Sequence, residues 1–384
     1  MPIVASRGGI QRVTDVLAKE FKLLNHNVYF LCRREENLIK SNNFSAPQFI
    51  IRVDGAGGNF GIEEYLEKLE ELQIDCVIFQ WVDDLIYHWL KVTPSKYRVV
   101  SVIHHQPFEG YGYEREIMRS FHPQGVVQHL WKFMGICFPF LQRRMSTRWH
   151  RRSIEKLLPF SDRLCFLSAG YISRVKKFGV NIPEIKACTV GNPCCLSRQE
   201  INFQNKKNIV LFVGRISNST KNTYQFLRVW QMFSSQYKNW EAYVIGDGPD
   251  LKLCKRYAQK NKIERVSFLG HCQDVQSYYA SAKAICMTSY GEGFAMVLTE
   301  GMSYGCVPFV YDTFEAVHDI IVDGKCGFLS PPFDTRHMVS NLQLIANNQE
   351  YYTQIAQDAI VQTKRFNSKT VAERWIEIMN KIEK

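Results

Sequence analysis

Short apolar runs alternate with helix-period patterns along almost the whole chain. In the first half the candidate strands are Phe49–Val53, Cys76–Trp81, Val99–His104 and Leu164–Ser168, and a helical pattern runs from Gly9 to Asn25. Strands that alternate with helices pair in parallel, because each helix returns the chain to the same end of the sheet. The first half is therefore predicted to be a doubly wound α/β domain.

The pattern starts again after a polar stretch at 192–206. New apolar runs follow in NIVLFVGR, AYVIG, VSFLG, AICMTS and VPFVY. A chain of 384 residues exceeds the roughly 250–300 residues at which a single core stops growing. The sequence thus predicts an α/β protein of two doubly wound, Rossmann-like domains, at 1–195 and 196–365, with a C-terminal helix at 366–384 that packs back toward the first domain.

The composition excludes several classes of protein. With 46% hydrophobic and 22% charged residues, the chain is too balanced to be disordered, collagenous or a coiled coil. The longest unbroken apolar run, Phe133–Leu141, has nine residues, whereas a bilayer span needs about 20. No hydrophobic signal region follows the N-terminus, and the twelve cysteines lie mostly in apolar runs, so a cytoplasmic location is predicted.

The formal net charge of +11 predicts attraction to phosphates, but it does not choose among nucleotides, nucleic acid and anionic lipid. A nucleic-acid partner is not expected, because the sequence has no helix-turn-helix, RNA-binding sheet or zinc signature. It also has no CxxC pair that could hold zinc. The motifs, rather than the charge, must therefore identify the ligand.

The most informative stretch is SYGEGFAMVLTEGMSYGCVPFV, in which a strand ends near Ser289 and a helix opens close to Phe294 after a glycine-bearing loop. Open backbone N–H groups and the positive end of the helix dipole make such a loop an anion site. Glu292 lies in the loop, and Glu300 lies six residues beyond Phe294, about 9 Å along a helix. The two carboxylates either hold a sugar and a ribose across one diphosphate or are two solvated glutamates.

Two cations support the first interpretation. Arg215 and Lys221 follow the strand NIVLFVGR at the same predicted edge of the sheet. An arginine can bind two phosphate oxygens at once, while a lysine supplies a point charge. Cations at a helix N-terminus oppose the helix dipole, and a bound anion would resolve that conflict.

Five motifs in the second half resemble, in order and spacing, the C-terminal domain of glycosyltransferase family 4: VGRISNSTKN, YVIGDGP, VSFLGH, EGFAMVLTEGMSYGCVPFV and VDGKCGFL. The N-terminal SRGGIQRVTDVLAKEF resembles that family's glycine-rich loop and first helix. The resemblance implies a GT-B fold, with two Rossmann-like domains facing each other across a cleft. It also implies retaining transfer of a sugar from a nucleoside diphosphate donor.

The resemblance assigns roles to individual residues. Arg215 and Lys221 would clamp the donor diphosphate, Glu292 would hold the transferred sugar, and Glu300 would bind the nucleotide ribose. The other positions implied to approach the donor are Gly8, Gly9, Gly214, Gly270, His271, Gly293, Phe294, Ala295 and Met296. Ala295 stands where the family usually has glycine.

His104 and His105 follow the strand VVSVI, and the family usually has one histidine there that faces the donor sugar. We choose His104, because a neutral imidazole can donate a hydrogen bond to the sugar without a permanent charge. A satisfied core histidine is an equally weighted alternative. The predicted catalytic set is therefore Glu292, His104, Arg215 and Lys221.

No metal and no separate cofactor are expected. An Asp-x-Asp triplet, which the other large glycosyltransferase fold uses to bind a metal-bridged diphosphate, does not occur in the sequence. The nearest approach, Asp83-Asp84, is better explained as a solvated helix start. No residue stands out as a general base, which fits the family's proposed mechanism, in which the leaving diphosphate accepts the acceptor's proton.

The segment 131–152 carries six basic residues, no acid and several aromatic residues. It either lies on an anionic membrane surface, which would make the protein peripheral on the inner face of the membrane, or packs its aromatic side chains within the first domain and leaves the arginines wet.

The function predicted from the sequence is transfer of a sugar from a UDP-linked donor to a saccharide or lipid-linked saccharide acceptor in surface polysaccharide biosynthesis. The alternatives are a sugar-nucleotide epimerase or phosphorylase of the same fold and a non-catalytic subunit that binds nucleotide sugars or glycans.

Overall fold

The computed structural model describes residues 8–33, 44–51, 60–123, 125–196 and 201–383. Its strands are β1 (Phe30–Arg33), β2 (Gln48–Ile51), β3 (Cys76–Phe79), β4 (Arg98–Ile103), β5 (Arg163–Phe166), β6 (Ala187–Thr189), β7 (Lys207–Val213), β8 (Glu241–Ile245), β9 (Val266–Gly270), β10 (Ala282–Met287), β11 (Val307–Tyr311) and β12 (Phe328–Ser330). The last two residues of the predicted strand Phe49–Val53 lie outside the described ranges.

The helices lie between these strands and after the last of them. They are α1 (Gly9–Leu23), α2 (Ile62–Glu71), α3 (Asp84–Val92), α4 (Glu114–Ser120), α5 (Val126–Cys137), α6 (Pro139–Glu155), α7 (Ala169–Lys177), α8 (Thr223–Ser234), α9 (Leu251–Lys260), α10 (Gln276–Ser281), α11 (Met296–Ser303), α12 (Val317–Ile320), α13 (Thr335–Asn347), α14 (Gln349–Thr363) and α15 (Ser368–Asn380). None of the helices in the described ranges combines the length and the apolar character that a bilayer crossing requires.

Contacts between residues divide the chain into two units. Unit 1 consists of Met1–Pro107, Trp149–Cys195 and Arg365–Lys384, and unit 2 consists of Phe108–Arg148 and Leu196–Lys364. This division differs from the predicted domain ranges at 108–148, where α4, α5 and the first part of α6 group with the second half of the chain.

Unit 1 contains a parallel sheet in the order β3-β4-β5-β6 and a separate parallel pair, β1-β2. Helix α15 packs on α1 within this unit. The Ser368 hydroxyl at the start of α15 donates to the Glu20 carboxylate at 2.6 Å. Arg98 and Arg163 donate to the carbonyls of Ile382 and Lys381, so both ends of the C-terminal segment are held in unit 1.

Unit 2 is built on a six-stranded parallel sheet in the order β12-β11-β10-β7-β8-β9. β10 lies in the middle, and all six of its residues are buried. A strand that is covered on both faces is expected to be apolar, and every residue of the run AKAICM except Lys283 is apolar. The Lys283 amine donates hydrogen bonds to the side chains of Asn208 and Gln349. The predicted α/β class with parallel sheets is confirmed, and it brings the loops after β7 to β10 to one edge of the sheet.

Candidate functional site

The carboxyl ends of β7, β8 and β9 are joined through their backbones. The Gly214 amide donates to the Ile245 carbonyl at 3.0 Å, and the Gly246 amide donates to the Gly270 carbonyl at 2.7 Å. A Cβ at Gly246 would lie 1.9 Å from the Gly214 oxygen, so only glycine allows this approach. Two of the predicted site residues, Gly214 and Gly270, thus belong to one continuous edge.

The loop that carries Lys221 is fixed to the end of the central strand. The buried Thr288 hydroxyl donates to the Lys221 carbonyl at 3.1 Å and lies equally close to that of Asn222. The Tyr290 amide donates to the Thr220 carbonyl at 2.9 Å. Because these bonds are made by the backbone of the loop, they place the Lys221 side chain beside the β10–α11 loop whatever the lysine itself contacts.

Lys221 and Glu292 form an ion pair in this position. The lysine Nζ lies 2.5 Å from Glu292 Oε1, and the Ser289 hydroxyl donates to the same oxygen at 2.5 Å. The Glu292 side chain is only 10% exposed, whereas Lys221 is 27% exposed. A carboxylate that is largely removed from water needs charged or polar partners. Here the partners are a lysine and a serine, and side chains of these types can also bind a phosphate or a sugar hydroxyl.

The N-terminus of α11 lies at the end of the same loop. Helix α11 begins at Met296, and its N-cap, Ala295, has a left-handed backbone (φ 56°, ψ 54°) and no side-chain hydrogen bond to the first turn. Gly293 and Phe294 precede it in the loop, and Phe294 is buried. An N-terminus without a side-chain cap presents amide groups and a partial positive charge to an anion.

Glu300 lies inside α11 and is buried, 3% exposed, with the Tyr279 hydroxyl 3.4 Å from its Oε2. The prediction that the helix opens close to Phe294 is corrected by two residues. The helical rise up to Glu300 therefore starts at Met296 and is about 6 Å rather than about 9 Å. The left-handed turn at Ala295 accounts for the later start, because this conformation cannot continue into a right-handed helix.

Arg215 and His271 lie farther out on the same edge. Both side chains are exposed, and within the ranges that the structure describes Arg215 has no ion-pair partner. His271 directly follows Gly270, whose φ of 71° turns the chain at the end of the edge strand β9. The positive charge of Arg215 is therefore accessible to solvent at this edge.

Glu109 was missed by sequence reasoning. It lies in the segment of unit 2 between β4 and α4, where its carboxylate is close enough to Glu292 and Lys221 for their charges to act on it. Desolvation by surrounding protein raises its pKa although its side chain keeps access to solvent; Glu292 adds to the rise, and Lys221 opposes it. No sequence motif marks this position, because it depends on the left-handed turns at Phe108 and Gly110.

His104 follows β4 in unit 1. Its Nε2 lies 2.7 Å from Gln80 Oε1, an acceptor, so that Nε2 donates and Nδ1 is left as an acceptor. Nδ1 is buried and has no hydrogen-bond partner within the described residues. Burial, and then the neighbouring His105, lower the pKa of His104 to about 4, so the ring is neutral at physiological pH.

His105 is also neutral, because burial and then His150 lower its pKa to about 4. The rings of His105 and His150 lie 6.0 Å apart. Gly8 and Gly9 also lie in unit 1, where Gly8 is the N-cap of α1 and makes no side-chain cap. The structure thus groups Gly214, Arg215, Lys221, Gly270, Glu292 and the α11 N-terminus in unit 2, and it places Gly8, Gly9 and His104 in unit 1.

Within the described ranges, no group of three or more His, Cys, Asp or Glu side chains is arranged to hold a metal ion. Independence from metal stays a prediction.

Known proteins resemble the chain both in sequence and in fold. Residues 196–362 match the family model of the group 1 glycosyl transferases. A Campylobacter jejuni protein, "GalNAc-alpha-(1->4)-GalNAc-alpha-(1->3)-diNAcBac-PP-undecaprenol alpha-1,4-N-acetyl-D-galactosaminyltransferase", is 27% identical over 229 residues, 59% of this chain and 62% of its own length. The lipopolysaccharide 1,6-galactosyltransferase of Salmonella typhimurium is 27% identical over 53% of this chain and 57% of its own length. This chain therefore matches about three fifths of each relative.

Two solved structures share the fold over almost the whole chain. The lipopolysaccharide outer core galactosyltransferase WaaB, in its apo form, superposes with a TM-score of 0.67 over 99% of this chain and 97% of its own, at 18% identity. HepE of Anabaena, solved in complex with UDP and glucose, gives a TM-score of 0.70 over 98% of this chain and 97% of its own, at 13% identity. The chain has the GT-B fold, and its residues 196–362 resemble the group 1 glycosyl transferases.

Proposed function

We propose that the chain is a retaining, metal-independent glycosyltransferase that moves a sugar from a UDP-linked donor to a saccharide or lipid-linked saccharide acceptor in surface polysaccharide biosynthesis. The observation that carries the proposal is the Lys221–Glu292 ion pair beside the N-terminus of α11, within the segment that matches the group 1 glycosyl transferases. The relatives from Campylobacter and Salmonella are sugar transferases by name, and the HepE structure contains UDP and glucose.

The diphosphate is assigned to Arg215, Lys221 and the amides at the start of α11. Arg215 is exposed, and Lys221 is 27% exposed, so phosphate oxygens can reach both cations. A phosphate that attracts Lys221 relieves Glu292 of one partner, while Ser289 still holds the same carboxylate oxygen. Binding the diphosphate would in this way release Glu292 to accept a hydrogen bond from a sugar hydroxyl.

Catalysis would then consist mainly of stabilising the leaving diphosphate. In the proposed step the bond between the anomeric carbon and the diphosphate oxygen breaks, and a bond to the acceptor oxygen forms on the same face of the sugar. The acceptor's proton passes to the diphosphate. Positioned cations and amides stabilise the charge that develops on the leaving group, which is the kind of interaction that contributes most to such reactions.

His104 and Glu300 are assigned supporting roles. The neutral His104 ring would accept a hydrogen bond from a sugar hydroxyl at Nδ1, since Gln80 occupies Nε2. Glu300 would accept hydrogen bonds from the ribose, and its burial in α11 keeps the carboxylate in one orientation.

The direct test is calorimetric titration of the full chain with UDP, GDP, ADP and CMP. The proposal expects UDP to bind and Lys221→Ala to weaken it by about 10- to 100-fold, since one hydrogen bond to a charged group contributes about 1.5–3 kcal/mol. Lys255→Ala, at an exposed lysine of α9, is the matched control and should leave the affinity unchanged. Absence of diphosphate binding to the folded chain would reject the proposal. Binding of UDP without turnover of any UDP-sugar would identify a non-catalytic binding subunit instead.

A further inference from the structure

Helices α5 and α6 expose apolar side chains on their outer face. On α5 the exposed fractions are 79% for Val127, 61% for Leu130 and 59% for Phe133; on α6 they are 62% for Phe140 and 58% for Met145. Soluble proteins rarely expose large contiguous apolar patches, and such a patch usually marks an interaction surface. We call the exposed side chains of residues 126–148 the hairpin surface.

The inner face of the same hairpin is held against α4 and the residue that follows it. Gly135 is buried against α4, because a Cβ there would lie 2.3 Å from Met118 Cγ. Arg143 donates two hydrogen bonds to the Glu114 carboxylate, at 2.9 and 2.8 Å, and Lys132 donates to the Phe121 carbonyl at 2.7 Å. The polar groups thus serve as internal anchors, and the apolar groups point away from the core, the reverse of an ordinary surface helix.

The hairpin surface also carries positive charge. Leu141, Arg144, Met145 and Arg148 follow one another at helical spacings of three, one and three residues, so they share one face of α6, and all four are exposed. The segment 126–148 contains no Asp or Glu. Arginines among exposed apolar and aromatic side chains match the interface of an anionic membrane, where phosphate headgroups lie directly above the acyl chains.

We propose that the hairpin surface docks on an anionic lipid surface, with Phe133 and Phe140 in the interface and Arg144 and Arg148 at the lipid phosphates. The structure narrows the segment suggested by the sequence, since Lys132 and Arg143 are hydrogen-bonded to Phe121 and Glu114 and the apolar patch begins at Val126. A second copy of the chain fits less well, because two such surfaces would bring together only positive charges. This inference goes beyond the proposed function, as docking needs neither donor nor acceptor.

The test is co-sedimentation of the full chain with vesicles of phosphatidylcholine alone and of phosphatidylcholine mixed with phosphatidylglycerol. The chain should prefer the mixed vesicles, and the preference should weaken as salt is raised. Arg144→Gln/Arg148→Gln should reduce binding to the mixed vesicles about 30-fold, given the contribution of each cation near such a surface. Phe133→Ser/Phe140→Ser should reduce it about tenfold or more at every salt concentration.

The matched control is Lys255→Gln/Arg256→Gln, which removes two exposed cations of α9 in the same unit and should change binding by less than about twofold. Circular dichroism and thermal unfolding establish that each variant is folded. Three results would overturn the proposal: equal binding to both kinds of vesicle, binding that the hairpin variants do not alter, and no binding at all. A dimer in light scattering that the hairpin variants dissociate would show that the surface joins two copies instead. The vesicle assay contains no nucleotide sugar, so a failure to bind vesicles would not contradict the proposed transferase activity.

Discussion

Ionisable side chains are buried in two different ways at the carboxyl ends of β10 and β4. At the end of β10 in unit 2, Glu292 is charged, largely buried and held by Lys221 and Ser289. At the end of β4 in unit 1, His104 and His105 are kept neutral, because burial lowers the pKa of each ring to about 4. One strand end retains a charge by pairing it, and the other avoids a charge altogether.

The difference teaches which ligand group each end suits. A lysine paired with a carboxylate can instead bind a phosphate, and the carboxylate can then bind a sugar hydroxyl, because the lysine and the carboxylate are both charged hydrogen-bonding groups. A neutral imidazole with one ring nitrogen bonded to Gln80 offers a single acceptor atom, which suits a hydroxyl and not a phosphate. The comparison therefore assigns the large electrostatic contribution to unit 2 and a smaller, directional one to unit 1.

The largest expected effect is on turnover. Glu292→Gln should lower kcat by about 10²- to 10³-fold, the loss typical of one positioned electrostatic group in an active site. His104→Gln removes a neutral hydrogen bond and should lower kcat only about five- to tenfold. Release of UDP from a UDP-linked donor sugar that the wild type turns over measures both rates.

Glu377→Gln, at an exposed position of α15, is the control and should retain full activity. A larger loss in His104→Gln than in Glu292→Gln would reverse the assignment of roles to the two strand ends.

The second effect is on stability. A histidine whose pKa is about 4 when folded and about 6.5 when unfolded contributes stability that is present above pH 6.5 and is lost as the pH falls toward 4. Between about pH 7.5 and about pH 5, each of His104 and His105 should lower the free energy of unfolding by about 2 kcal/mol. Denaturant unfolding at the two pH values measures the loss.

His105→Gln should make the decrease smaller by about the contribution of one histidine. An unchanged pH dependence in this variant would mean that His105 is not kept neutral by the fold, and the contrast between the two strand ends would then rest on His104 alone.

Much of this arrangement could be predicted from the sequence, because it depends on local patterns. The apolar run before Ser289, the glycines after it and the helix-period residues beyond it place Glu292 at the carboxyl end of a strand. The strand before Gly214 places Lys221 at the corresponding end of β7 in the same way. Since parallel strands end at one edge, the two residues were expected near each other, and the 2.5 Å ion pair places them there.

Other features could not be read from the sequence, because they arise from tertiary contacts. The grouping of 108–148 with unit 2 depends on contacts with the second half of the chain: the Ser120 and Tyr290 hydroxyls lie 2.7 Å apart, and the Tyr113 ring packs edge-on against Phe333. The packing of Gly135 against Met118 decides which face of α5 is exposed, and the sequence left that choice open for 131–152. The position of Glu109 depends on the left-handed turns at Phe108 and Gly110, which no sequence motif predicts.

A smaller effect concerns the geometry of the anion site itself. Ala295 has a left-handed backbone, which costs an L-residue with a side chain about 1 kcal/mol and costs glycine nothing. Ala295→Gly should therefore raise the free energy of unfolding by up to about 1 kcal/mol, less the entropy that glycine loses on folding. Chemical denaturation measures the change, and Ala356→Gly in the middle of α14 should destabilise the chain by about 1 kcal/mol or more. Destabilisation by both variants would show that the backbone at Ala295 is not strained.

The smallest effect tests a residue that belongs to the chain segment after β4 but contributes its charge to the site in unit 2. Desolvation raises the pKa of Glu109, and the negative charge of nearby Glu292 adds to the rise. A charged Glu109 should oppose a diphosphate at Lys221, so Glu109→Gln should bind UDP about threefold tighter at neutral pH, as expected for one charge at moderate distance in a wet site. The advantage should shrink as the pH falls, because protonation of Glu109 in the wild type begins at a higher pH than for an ordinary carboxyl group.

Comparing variant and wild type at each pH removes the titration of UDP itself, and Glu350→Gln, at an exposed carboxylate of the same unit, should show no difference. Weaker binding in Glu109→Gln would mean that this carboxylate accepts a hydrogen bond from the ligand, and the charged site would then extend into the segment that follows the neutral strand end.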